Sequence, residues 1–159
     1  MKMDIKPYTM SEIKTKVKDA VDILLDKDAF LLEHGVHERS VTHKLAEYLQ
    51  QMFPDYHVDC EYNKHGITTK LLPRECEEAS ERKVFPDIVV HIRGDDSKNL
   101  LVIEAKPTPQ IDKSDKCKLK LFTATNGKYA YKYGLFIGFD KTNMPKMEWF
   151  DNSRFCLSQ

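Results

Sequence analysis

The stretch "FPDIVVHIRGDDSKNLLVIEAK", residues 85–106, reads as two apolar strands around a polar turn, yet it carries Asp87, Glu104 and Lys106 among residues suited to a core. A turn centred on Asp95-Asp96 makes the strands antiparallel and sets Asp87 opposite Glu104. Directly opposed residues hold their Cβ atoms about 4.5 to 5.5 Å apart, and Glu104 and Lys106, two apart on one strand, share a face. The three charges therefore converge. Two carboxylates about 5 Å apart repel by about 3 kcal/mol at an effective dielectric near 20, a large share of a domain's net stability.

Two arrangements relieve that repulsion. A divalent cation held by hard oxygen ligands neutralises both carboxylates and leaves the lysine for another task. Alternatively, the charges stand in water at the mouth of a sheet, paired with Lys106. Pro86 suits either arrangement, because proline is tolerated at the first residue of a strand.

Upstream, Val41, Leu45, Tyr48, Leu49, Met52 and Phe53 predict a helix over residues 37–53, limited by Pro54. At about 100° per residue, Glu38 falls near the middle of that apolar stripe. A carboxylate there aims at the sheet and has to meet a cation, a metal-bound water or a hydrogen-bond donor. An acidic residue is also favoured at a helix N-terminus by the dipole alone. "YHVDCEYN", residues 56–63, alternates Val58, Cys60 and Tyr62 with Asp59, Glu61 and Asn63, the period of a strand with one wet face. Residues 64–83 are polar and irregular, a loop suited to substrate contacts.

Downstream, "DKSDKCKLKLFTATNG" predicts a helix over residues 113–125 stopped by Gly127, "YAYKYGLFIGF" a strong strand, and "KMEWF" a short one. At the N-terminus, Thr9 and Glu12 form a capping-box pattern. Ile13, Val17, Ala20, Val21, Leu24 and Leu25 then continue an amphipathic helix to residue 26, and "DAFLLEHG" adds a helical turn closed by Gly35. The expected class is α/β (α+β): one mixed sheet flanked by helices.

A chain of 159 residues with 41 % hydrophobic content suits one globular domain and excludes a disordered tail. Basic and acidic residues balance, so any affinity for phosphates has to come from local patches. Cys60, Cys76, Cys117 and Cys156 are widely spaced and form no CxxC pair, which predicts reduced thiols in a cytoplasm. No apolar run has the length of a signal peptide core or a membrane span, so a soluble, cytoplasmic protein without a membrane partner is expected.

A helix bearing Glu38, a strand opening on Pro86-Asp87, a hairpin into Glu104-Ala105-Lys106, then a helix and a strand: this arrangement resembles the PD-(D/E)XK nuclease superfamily over about residues 36–140. The resemblance implies a restriction endonuclease-like core, αβββαβ, in a single domain. Residues 1–35 would form an N-terminal helical extension and 141–159 a C-terminal tail. It further implies Mg2+, with Mn2+ able to substitute, held by Asp87, Glu104 and the main-chain carbonyl of Ala105, and by Glu38 through water. Lys106 would position or activate the attacking water and stabilise charge on the phosphate. The implied activity is phosphodiester hydrolysis, in DNA. The superfamily also contains members that have lost activity, so a non-catalytic module binding nucleic acid or a protein partner is the alternative. Nucleases that cut two strands often pair, which leaves a homodimer open. No second domain or motif for reading a DNA sequence is visible.

Lys113, Lys116, Lys118 and Lys120, followed by Lys128 and Lys132, could track a phosphate backbone, or form a solvated helix face tempered by Asp112 and Asp115. Tyr129, Tyr131 and Tyr133 alternate as base-stacking or strand-packing residues do. His34, His37 and His43 lack a third convergent ligand, so zinc is not favoured.

Overall fold

In a computed structural model of the chain, Thr9 opens the first helix as its sequence requires. Its Oγ1 accepts the Glu12 N–H at 3.2 Å while a Glu12 carboxylate oxygen accepts the Thr9 N–H at 2.8 Å. The structure describes residues 4–35, 38–62, 85–127, 129–141 and 144–151. Helix α1 (Met10–Lys27) buries Ile13, Val17, Ala20, Val21 and Leu24. The short α2 (Ala29–Glu33) ends at Gly35, whose φ of 59° is the left-handed conformation glycine adopts freely. Helix α3 (Glu38–Met52) packs beside α1 and buries Val41, Leu45, Tyr48 and Leu49, with Phe53 fully enclosed just before Pro54.

Five strands form one sheet in chain order: β1 (His57–Cys60), β2 (Ile88–His91), β3 (Leu101–Lys106), β4 (Tyr133–Gly138) and β5 (Lys146–Asp151). All neighbours are antiparallel except β3 and β4, which run parallel and are joined across the sheet by helix α4 (Lys113–Thr123). The result is a mixed α+β fold with helices on both faces. The order α3-β1-β2-β3-α4-β4 is the one read from the sequence, and the short "KMEWF" strand joins as β5.

Register decides where the charges go. Ile88 pairs with Ile103, Val89 with Val102 and Val90 with Leu101, and one further step sets Asp87 against Glu104. The tight bend lies at Arg93-Gly94 rather than at Asp95-Asp96: Ile92 bridges Asp95, Gly94 has φ 82°, and a single 3₁₀ turn (Asp96–Lys98) completes the return. That extra turn lengthens one arm and preserves the expected pairing.

Side chains of Ile88, Val90, Leu101, Ile103, Ala105, Leu135 and Ile137 face α1 and α3. Val89, Val102, Phe136 and Phe150 face α4. Because both faces are covered, β2, β3 and β4 are buried along nearly their whole length, and a carboxylate on β3 has no solvent to turn to.

Some local expectations shift. Asp59 lies on the covered rather than the wet side of β1: it is held by His91 and Arg93, while Cys60 is the exposed residue. Tyr129 and Tyr131 precede β4 instead of belonging to it, with Ala130 at φ 39° between them, and both set their rings edge-on against Phe122. They are packing residues. Cys117 is disulfide-bonded, against the expectation of reduced thiols. The predicted loop at 64–83, with His37, Cys76, Lys128 and Cys156, lies outside the described residues. Among the described residues no helix is long and apolar enough to cross a membrane.

Candidate functional site

Strand β3 carries Glu104 into the α4-facing layer, where its side chain has no exposed surface. One carboxylate oxygen, Oε2, accepts a hydrogen bond from Lys118 Nζ at 3.2 Å; the other, Oε1, is buried with no partner among the described residues. Burial is the main reason the Glu104 carboxyl is pushed well above the usual range. The neighbouring Asp87 charge adds to the push, and Lys118 opposes it.

Asp87, half-buried just ahead of β2, bends its carboxylate over the strand end, and Oδ2 accepts the Ala105 N–H at 2.8 Å. In an antiparallel ladder that amide would bond the residue facing it, here Pro86 by the β2–β3 register. Proline has no N–H to return, so β2 offers no main-chain donor to the Ala105 carbonyl. The "PD" pair thus ends the ladder with a carboxylate beside a carbonyl to which Pro86 cannot donate.

Lys106, at the C-terminal end of β3, does not bond Glu104. It reaches Asp115 of α4 at 3.6 Å. Burial disfavours its charge, but Asp115, Glu38, Asp87 and Glu104 together outweigh burial and hold its pKa above that of a free lysine. It is therefore an ammonium at neutral pH. Glu38, Asp87 and Glu104 each stand within electrostatic reach of Lys106.

Glu38 is the first residue of α3 and half-buried, so both readings of its position apply: it is a helix N-terminal acid and it overlooks the sheet. It lines a cleft of about 300 Å³ with Asp87, Cys60, Glu61, Thr42 and His43, across which Arg39 pairs with Glu61 at 3.5 Å. On its other side it borders a smaller hollow of about 60 Å³ shared with Ala105 and Lys106.

Asp115 escaped the sequence reading as a site residue, and the facing of Lys118 was left open there. Asp115 is buried, with Oδ2 unpartnered among the described residues, and burial raises its carboxyl despite Lys106. Lys118 leaves the expected lysine row and turns inward. Their signal was present: Asp115, Lys118, Leu119 and Phe122 recur at the i, i+3, i+4, i+7 spacing of a core-facing stripe. Lys113 and Lys116 are exposed, and Lys120 is half-buried. His34 stacks on Phe30 and His43 pairs with Glu47, so neither converges on a common ligand.

Glu104 Oε1, the Asp87 carboxylate and the Ala105 carbonyl are hard oxygens, the ligand type a divalent cation takes. Among the described residues, no group of three or more His, Cys, Asp or Glu side chains is arranged to hold a metal, so such a cation would rest on two carboxylates, a main-chain oxygen and water. Compared with protein-family models, curated proteins and solved structures, the chain finds no match.

Proposed function

We propose that the chain is a divalent-metal-dependent nuclease of the PD-(D/E)XK kind, with a restriction endonuclease-like core, that hydrolyses phosphodiester bonds in DNA. The observation that carries this reading is Glu104: a fully buried carboxylate facing Asp87 across the hairpin, with one oxygen unpartnered among the described residues. A single buried acceptor left unsatisfied costs about 1 to 3 kcal/mol, a sizeable part of a domain's net stability.

In this reading Asp87, Glu104 and the Ala105 carbonyl hold Mg2+, or Mn2+ in its place, and Glu38 reaches it through water. The cation supplies Lewis-acid polarisation of a phosphoryl oxygen and a more acidic bound water. The remaining work belongs to the chain. Lys106, kept protonated by its acidic neighbours, donates to a phosphate oxygen and orients the water. Glu38 accepts a hydrogen bond from water at the mouth of the cleft. The exposed Lys113 and Lys116 offer charge to the phosphates that flank the scissile bond, as non-specific backbone contacts do.

The test is cleavage of single-stranded, double-stranded and branched DNA and of RNA in Mg2+, Mn2+ or chelator, by the wild type and by Glu104→Ala and Lys106→Ala. Loss of even an outer partner of a metal site costs about 10- to 100-fold, so both variants should fall by at least 100-fold. Cleavage that survives in both contradicts the assignment.

One observation favours a second reading, a non-catalytic module that binds nucleic acid or a protein partner: Glu104 already has a cation in Lys118. Retained binding of DNA without cleavage of any substrate would select it.

A further inference from the structure

Helix α4 and strand β3 exchange charges crosswise. The strand lysine, Lys106, goes to the helix carboxylate, Asp115, at 3.6 Å, and the helix lysine, Lys118, goes to the strand carboxylate, Glu104, at 3.2 Å. Asp115 and Lys118 lie three residues apart and so share one face of α4. Each carboxylate keeps one buried oxygen unpartnered among the described residues. The two pairs are unequal in one respect: Lys118 sits on the carboxylate that faces Asp87, whereas Lys106 sits on one that does not.

We propose that Lys118 is the resident cation of the metal-free site, and that it yields Glu104 when a divalent cation binds. This rests on the metal-dependent reading above. An ionised carboxylate in this buried place has to be matched by positive charge, with or without the metal. A lysine is a compact charge on a flexible stem with three rotatable donors, and its side chain here is 22 % exposed, so it can withdraw toward solvent or toward Asp115 Oδ2. Lys118 is thus a positioning residue that sets how tightly the site holds its cation and keeps the site folded without one.

The test is calorimetric titration of Mn2+ into wild type, Lys118→Gln, Lys118→Arg and Glu104→Gln, with melting temperatures in chelator and in Mn2+. Removing the competitor should tighten Mn2+ binding by about tenfold in Lys118→Gln. The same variant should melt lower in chelator and recover in Mn2+. Arginine keeps the charge and can grip the carboxylate with two donors, so Lys118→Arg should bind Mn2+ more weakly than wild type. Glu104→Gln should lose the binding. Unchanged affinity in Lys118→Arg, or unchanged or weaker affinity in Lys118→Gln, overturns the exchange while leaving the metal site standing. No Mn2+ binding by wild type or any variant overturns the metal reading, and this inference with it.

Discussion

Glu104 is raised above the ordinary carboxyl range chiefly by burial, and the sign of its effect on stability follows. Below the ordinary value of 4.5 both folded and unfolded chains carry the proton; above it the unfolded chain ionises first, so metal-free stability falls as pH rises toward the folded pKa. Asp115, raised by burial, acts in the same direction. In chelator, Glu104→Gln should therefore melt higher than wild type at pH 8 and show a flatter dependence between pH 5 and 8. A melting temperature below wild type at pH 8 would contradict the burial argument. Asp59 behaves oppositely. Hydrogen bonds from Arg93 lower its carboxyl to about 2 against the cost of burial, with help from His91, so its contribution is present above pH 3.8 and lost as pH falls toward 2. Asp59→Asn should cost about 1.5 to 3 kcal/mol at neutral pH, the usual range for hydrogen bonds to a charged group, and should leave less stability to lose between pH 4 and 2. Denaturant melts of both proteins at pH 7 and pH 3 decide this.

At the scale of elements, the end of β3 depends on what lies beside it. Gly138 pairs with Lys106, and a Cβ there would stand 2.6 Å from both Pro109 Cα and the Thr108 carbonyl oxygen. The segment after Lys106 thus folds directly onto β4. Gly138→Ala forces backbone against backbone, and overpacking of that kind costs about 1 to 3 kcal/mol. Its melting temperature should drop accordingly, and an unchanged value would mean that the segment yields freely.

Elements with one strong local signal were legible in the sequence: the Thr9 capping box, the α3 stripe ending at Phe53, and the hairpin whose register brings Asp87 to Glu104. The turn was legible in length but not in kind, because Gly94 and the 3₁₀ turn redistribute residues without altering the pairing. The face of β1 was misread because Asp59 has partners from β2 and its continuation, far away in sequence, and alternation alone cannot foresee them. Inside the candidate site, the residues contributed by β2 and β3 were readable from strand geometry. Of those contributed by α4, Lys118 was named without its facing and Asp115 was not named as a site residue, since polar residues within an apolar stripe look like a solvated face until the partner strand is in place.

Across the whole molecule, the sheet is covered on both faces by helices, and the charged cluster of the candidate site lies where β2 begins and β3 ends. There the ladder stops at Pro86-Asp87, α3 begins at Glu38, and α4 brings Asp115 and Lys118. In the proposed reading, burial of Glu104 supplies the demand for positive charge. A ligand that binds only the folded state stabilises it by mass action, so divalent cations should raise the melting temperature of wild type and leave Glu104→Gln unmoved. The most direct measurement is anomalous scattering from a crystal soaked in Mn2+. The account predicts one strong peak between the Asp87 and Glu104 carboxylates, within coordination distance of the Ala105 carbonyl; a soaked crystal with Lys118 still on Glu104 and no peak there would contradict it.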